Sequence, residues 1–66
     1  MEIHLNGEDR TIPDALTVMG LVRHLDLEPG WVVVERNLEA LDRALWDSVP
    51  LASGDQIELV RFMGGG

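Results

Sequence analysis

The sequence predicts an α+β fold in which one helix covers one face of a single sheet. Residues 1–6 alternate between apolar and polar side chains, as in a half-buried strand. Apolar residues recur at helical spacing across 18–25, and strand-like runs follow at 31–36 and 56–62. The predicted element order is β-β-α-β-(β)-β, which corresponds to a two-layer sandwich of sheet and helix.

The first two strands are predicted to form a hairpin. Met1, Ile3 and Leu5 share one face, and Asn6-Gly7 is a favoured type I′ pair because both of its positions need positive φ. The second strand is expected over residues 8–12.

Thr17 is the expected N-cap of the helix, because its hydroxyl can accept from a free N–H of the first turn. The apolar stripe consists of Val18, Leu21, Val22 and Leu25. Gly20 lowers helix propensity, and we expect it to allow a close contact with the sheet. The segment 28–30, Glu-Pro-Gly, ends the helical region.

The second half of the chain is predicted to add the remaining strands. Residues 31–36 have the composition of a central strand, and Asn37 can adopt the left-handed conformation of a turn. A short strand near 39–42 and one irregular turn follow. Ser53-Gly54-Asp55 predicts a tight turn into the last strand, 56–62.

Composition excludes several functions. The formal charge is −7, and the chain has neither Lys nor Cys, which argues against nucleic-acid binding, disulfides and Cys-based zinc sites. We expect a cytoplasmic protein, because no apolar run is long enough to span a bilayer. An acidic surface suits either solubility alone or steered encounter with a basic partner.

No side-chain arrangement indicates catalysis or metal binding. His4 and His24 lie on different elements without further ligands at suitable spacing, so we interpret them as exposed histidines. Trp31 and Trp46 are interpreted as core residues. Aspartates such as Asp55 are interpreted as turn and capping residues. The chain has no phosphate-binding glycine motif, so the prediction is a protein that is not an enzyme, with no metal and no cofactor of its own.

The last strand is expected to present a partner surface. If Ile57 and Leu59 point toward the helix, the alternate residues point outward. An outward Phe62 would be an aromatic anchor for a partner; the alternative is that it folds back onto its own sheet. The predicted partner contacts are Glu58, Val60, Phe62 and Met63.

The sequence ends in Gly64-Gly65-Gly66. Glycines, which lack Cβ, can pass through a channel too narrow for other side chains, and a terminal carboxylate is a group that another enzyme could activate with ATP. We therefore predict a folded domain over residues 1–62 and a flexible glycine tail over 63–66.

Four features of the chain are informative together: the Val-Glu-Arg-Asn segment at 34–37, the turn at 53–55, the chain length and the glycine end. In these features the chain resembles the ubiquitin-like β-grasp sulfur carriers, and within them the ThiS family. The resemblance spans essentially the whole chain. It implies a β-grasp fold, with a mixed sheet of four to five strands packed on one helix. One departure is that three glycines end the chain instead of the minimal two; we interpret Gly65-Gly66 as the functional pair and Gly64 as a spacer.

The resemblance also implies a mechanism. A ThiF-like adenylating enzyme would use ATP to activate the carboxylate of Gly66, a sulfur donor would convert it to a thiocarboxylate, and a ThiG-like thiazole synthase would receive the sulfur for thiamin biosynthesis. Three alternatives remain open from the sequence. These are a carrier for molybdopterin or another thiolated product, a ubiquitin-like interaction module with an incidental tail, and a modifier joined to lysines of other proteins.

Overall fold

The computed structural model describes residues 1–62. The helix and strands are β1 (Glu2–Leu5), β2 (Glu8–Thr11), α1 (Val18–His24), β3 (Val32–Arg36), β4 (Glu39–Ala40) and β5 (Gln56–Arg61). Two short 3-10 turns lie at Pro29–Trp31 and Arg43–Leu45. None of the helices within residues 1–62 has both the length and the apolarity needed to cross a bilayer.

All strands belong to one mixed sheet with the order β2-β1-β5-β3-β4. β1 and β5 are parallel, whereas the other neighbouring pairs are antiparallel. The predicted fold class is therefore confirmed. β3 has a neighbour on each side, as expected, but β5 occupies the middle of the sheet. The C-terminal strand is held by pairing along both of its edges.

The first hairpin has the predicted geometry. Leu5 pairs with Glu8, and the two loop residues, Asn6 and Gly7, have φ values of 50° and 82°. Asn6 also joins the hairpin to the last strand, because its Oδ1 accepts from the Leu59 N–H at 2.8 Å. The turn residue thus helps to fix β1 beside β5.

Helix α1 begins as expected. The Thr17 hydroxyl oxygen accepts from the Gly20 N–H at 3.1 Å, and the buried face consists of Val18, Leu21 and Val22. The expectation for Gly20 was wrong. A Cβ at this position would lie 3.2 Å from Leu16 Cδ2, so the close approach is to the preceding loop and not to the sheet.

The hydrophobic core lies between the helix and one face of the sheet. Its buried members are Ile3, Leu5, Ile12, Val18, Leu21, Val22, Val32, Val34, Trp46, Leu51 and Ile57. Trp46 is 1% exposed and donates its indole N–H to the Leu41 carbonyl at 3.2 Å. The core assignment was wrong for Trp31, which is 48% exposed. Trp31 lies directly before β3, in which Val32 and Val34 are buried, so the same alternation leaves position 31 on the exposed side.

The region between β3 and β5 contains less regular secondary structure than predicted. β4 contains only Glu39–Ala40 and is followed by the 3-10 turn Arg43–Leu45, in which the Asp42 side chain accepts from the Ala44 N–H. β3 and β4 are joined by a two-residue turn, Asn37-Leu38, with φ values of 52° and 74°. The left-handed conformation expected at Asn37 is confirmed, and Leu38 shares it.

Candidate functional site

The last strand alternates as the sequence predicts. Ile57 is 1% exposed, whereas Val60 and Phe62 are 55% and 41% exposed, and Glu58 is also exposed. The uncovered side of the sheet, away from the helix, is called here the open face. Phe62 does not fold into the core. The structure thus leaves Glu58, Val60 and Phe62 accessible, and their role as partner contacts remains a prediction.

The open face carries an apolar patch made of Val33, Val60 and Phe62. Val33 lies directly opposite Val60 in the β3–β5 pairing and is 45% exposed. Sequence reasoning did not identify Val33. The signal was available, because a strand whose alternate residues Val32 and Val34 are buried must turn the residue between them outward. Exposed apolar residues that form a contiguous patch are typical of interaction sites.

Two glutamates border this patch. Glu35 lies directly opposite Glu58 in the same strand pairing, and both side chains are exposed. Like charges at directly opposed positions destabilise a sheet. Within residues 1–62, neither glutamate takes part in an ion pair. The sequence analysis included Glu58 but missed Glu35, since only the strand register brings the two together.

A hollow of about 220 Å³ lies beside one of these glutamates, Glu58. Its lining includes His4, Leu38, Gln56 and Glu58. Leu38 is 85% exposed, and His4 is paired through Nδ1 with the Asp9 carboxylate of the neighbouring strand. The predicted exposure of both histidines is confirmed. No group of residues in the described part of the chain has the composition of a metal site.

The two segments that carry the family resemblance meet in space. The Asp55 carboxylate, 7% exposed, accepts from Arg36 Nε at 3.1 Å and from Asn37 Nδ2 at 3.2 Å. It also accepts from the Ala52 N–H at 2.8 Å. The Gln56 N–H donates to Asn37 Oδ1 at 2.9 Å. These contacts fix the start of β5 against the end of β3, so Arg36 is a structural partner of the buried carboxylate.

The pKa of Asp55 is held below its ordinary value. Burial by itself would raise this pKa, because it disfavours the charged form. The hydrogen bonds from Ala52, Asn37 and Arg36, together with the positive charge of the guanidinium, outweigh burial and lower it. Asp55 is therefore a charged acceptor at neutral pH, and its contacts have a structural function.

The end of β5 is also fixed. The Phe62 N–H donates to the Trp31 carbonyl at 3.0 Å. Trp31 and Arg61 line a groove of about 340 Å³ with the loop that follows the helix. The predicted contact Met63 and the glycines 64–66 lie outside the described residues. The strand from which they continue is thus anchored up to its last described residue.

Comparison with known proteins identifies relatives along almost the whole chain. The model of the ThiS family matches residues 3–66. The sulfur carrier protein ThiS of Bacillus subtilis (strain 168) is 38% identical over 65 residues, which are 97% of this chain and 98% of that protein. The crystal structure of the thiamine biosynthesis protein ThiS from Geobacter metallireducens superposes with a TM-score of 0.86 at 35% identity, covering both chains completely.

A longer relative has a different name. A thiazole synthase of Magnetococcus marinus is 44% identical over 66 residues, which are 100% of this chain and 20% of that protein. The chain thus spans about a fifth of the length of this relative. The structural neighbour confirms the ubiquitin-like β-grasp fold, and the family model and the Bacillus relative agree with each other over nearly the same residues. The chain belongs to the ThiS family.

Proposed function

We propose that this protein is a sulfur carrier in thiamin biosynthesis. The observation that carries the proposal is the match along nearly the full length to the Bacillus protein named sulfur carrier protein ThiS. The family model, which extends to residue 66 and so includes the three glycines, supports it. We further propose that the chain is a co-substrate of other enzymes and not an enzyme itself, and that it acts in the cytoplasm, where ATP is supplied.

The proposed chemistry takes place on the Gly66 carboxylate. In a ThiF-like adenylating enzyme, a carboxylate oxygen attacks the α-phosphorus of ATP and pyrophosphate leaves. Hydrosulfide released by the donor then attacks the acyl carbon, the bond from that carbon to the AMP oxygen breaks, and AMP leaves, which gives the thiocarboxylate. A carboxylate is a poor electrophile, and the adenylate supplies the leaving group that it lacks. The folded domain contributes binding and presentation, because ATP is held by the partner.

We propose that the open face of the sheet docks on the enzyme that activates the tail. Glu58 and Val60 lie on β5, which leads to the glycines. Phe62, which follows this strand, is separated from Gly64 by Met63 alone. Half-exposed aromatic residues are frequent centres of protein interfaces. The anchored end of β5 would then set the distance from the docked surface to the reacting carboxylate.

The sulfur acceptor in this proposal is a ThiG-like thiazole synthase. Support comes from two relatives that bear the name thiazole synthase, at 44% and 38% identity, in which the matching region is 20% of the protein. In those proteins a ThiS-like region and a much longer remainder share one polypeptide. Such a combination favours a functional association between a carrier of this type and the synthase.

Intact-mass analysis tests the proposal. The protein isolated from cells is first weighed to establish that Gly66 is its last residue, and it is then incubated with ATP, the adenylating enzyme and a sulfur donor. The expected product carries sulfur in place of one oxygen of the Gly66 carboxylate. If the adenylating enzyme activates another carrier under the same conditions but leaves this mass unchanged, the proposal is wrong.

Gly65→Val provides the matched variant. We expect it to block adenylation, because a branched side chain would obstruct the narrow channel that the glycines pass through, while the melting temperature stays that of the parent. Transfer of sulfur from the parent thiocarboxylate to thiazole synthase, and not to a molybdopterin-forming enzyme, is the second readout. Equal adenylation of variant and parent would contradict the steric argument for the glycines.

A further inference from the structure

The open face carries two features that are unfavourable for the isolated domain. Glu35 and Glu58 oppose each other across β3 and β5 without a basic partner in the described part of the chain. Leu38 is 85% exposed and has a φ of 74°, in a type of turn where a branched side chain is strained and glycine is favoured. Residues that destabilise the isolated domain are expected on surfaces that have a function such as binding.

The two features lie side by side. Glu58 and Leu38 both line the hollow of about 220 Å³ on the open face, and Glu35 is the direct cross-strand neighbour of Glu58. Leu38 and one carboxylate thus line the hollow, and the second carboxylate is the cross-strand neighbour of the first. Glu58 precedes Val60 by two residues on β5, so it lies on the same face of the sheet as the apolar patch.

Charge and shape identify the group that fits this hollow. Two adjacent carboxylates attract a cation, and a guanidinium can donate to both of them in a planar arrangement. The aliphatic stem of an arginine covers apolar surface while its head stays with the charges, which matches the exposed Leu38. The formal charge of −7 also favours a partner with a basic surface.

We propose that the hollow receives an arginine side chain of the adenylating enzyme, with the stem against Leu38 and the guanidinium between Glu35 and Glu58. The inference rests on the proposed function, because it names the contact by which that enzyme recognises this carrier. It makes Glu35, Glu58 and Leu38 specificity-determining residues of the docking surface. None of them takes part in the chemistry at Gly66.

The test is the steady-state kinetics of the adenylating enzyme with the intact chain as the varied substrate. Glu35→Gln, Glu58→Gln and Leu38→Gly are each expected to raise the KM for the carrier about three- to tenfold. This is the range expected for loss of one partly exposed charged contact or of the apolar contact made by Leu38. The kcat should stay that of the parent. Glu28→Gln, which removes the same charge from the exposed loop after the helix, is the matched control and should leave KM unchanged.

Melting temperatures separate a binding role from a folding role. Glu35→Gln relieves a like-charge pair and Leu38→Gly relieves a strained turn, so both variants should melt about 1–5 °C above the parent. A higher KM together with a higher melting temperature is the expected signature. Unchanged KM values in all three variants, with normal turnover of the parent, would overturn this inference and leave the proposed function intact. An enzyme that fails to adenylate the parent itself would overturn both.

Discussion

At the scale of single residues, Asp55 links two segments that are distant in the chain. It receives hydrogen bonds from the side chains of Arg36 and Asn37 and from the Ala52 backbone, while its own side chain is almost fully buried. A buried carboxylate is tolerated only when charge and hydrogen bonds compensate for the lost hydration. The donors that compensate the Asp55 carboxylate come from the end of β3 and from the loop before β5.

Asp55→Asn is expected to lower the free energy of unfolding at pH 7 by about 1–3 kcal/mol, because the amide cannot accept from the same set of donors with full charge. The pKa of Asp55 in the folded state lies below the ordinary value of an aspartate. Its contribution is therefore complete above about pH 4 and is lost as the pH falls through the lowered pKa. The difference between parent and variant should shrink in that acidic range.

Urea unfolding between pH 7 and pH 2, followed by tryptophan fluorescence, measures this difference. Asp47→Asn is the control, because Asp47 is an exposed carboxylate in the loop after the 3-10 turn. A gap between the parent and Asp55→Asn that stays constant down to pH 2 would show that the charge of Asp55 does not contribute to stability.

At the scale of elements, β5 serves two surfaces at once. Its inward residue Ile57 completes the core, whereas Val60 and Phe62 extend the apolar patch of the open face. The strand is paired with β1 on one edge and β3 on the other. Central pairing gives a rigid base, which suits the proposed presentation of the tail to an adenylating enzyme.

Substitutions on the two faces of β5 should have separable effects. Ile57→Val is expected to cost about 0.5–1.5 kcal/mol of stability, since it removes a methylene from a packed core, and to leave the KM for the carrier unchanged. Phe62→Ala should raise this KM severalfold, because it removes an aromatic contact of the docking surface. Thermal unfolding and adenylation kinetics on the same preparations provide the comparison. A Phe62→Ala variant that loses stability but keeps its affinity for the enzyme would show that Phe62 belongs to the hydrophobic core.

At the scale of the whole molecule, charge opposes folding and favours association. Twelve acidic residues against five basic ones act on a domain with a radius of gyration of 11.1 Å. Repulsion among them destabilises the compact state, whereas the same field attracts a basic partner. Salt weakens both effects, because the screening length falls from about 10 Å at 0.1 M to about 3 Å at 1 M.

Salt should therefore move stability and association in opposite directions. Raising NaCl from about 0.05 M to about 0.5 M is expected to raise the melting temperature slightly and to slow association with the adenylating enzyme roughly tenfold. Stopped-flow association rates and thermal unfolding at matched salt concentrations give the two readouts. An association rate independent of salt would show that the net charge does not steer the encounter.

Local patterns in the sequence determined most of the elements. Asn6-Gly7 specifies its hairpin turn through the φ values it permits, Thr17 specifies the start of the helix, and alternation in 56–62 specifies which residues of β5 face outward. Each of these signals depends on neighbours a few residues apart. For the same reason the exposed patch residues Val60 and Phe62 could be predicted without a structure.

The tertiary structure decided what depends on distant segments. Strand order placed β5 in the middle of the sheet, and register set Glu35 against Glu58. The packing of Val32 and Val34 into the core left Trp31 on the exposed side. Residues that are far apart in the chain meet only when the helix and the sheet pack, and no local propensity specifies which pairs will meet. The sequence by itself therefore determined the fold class and the outward face of the last strand, and packing decided which charges and apolar groups share that face.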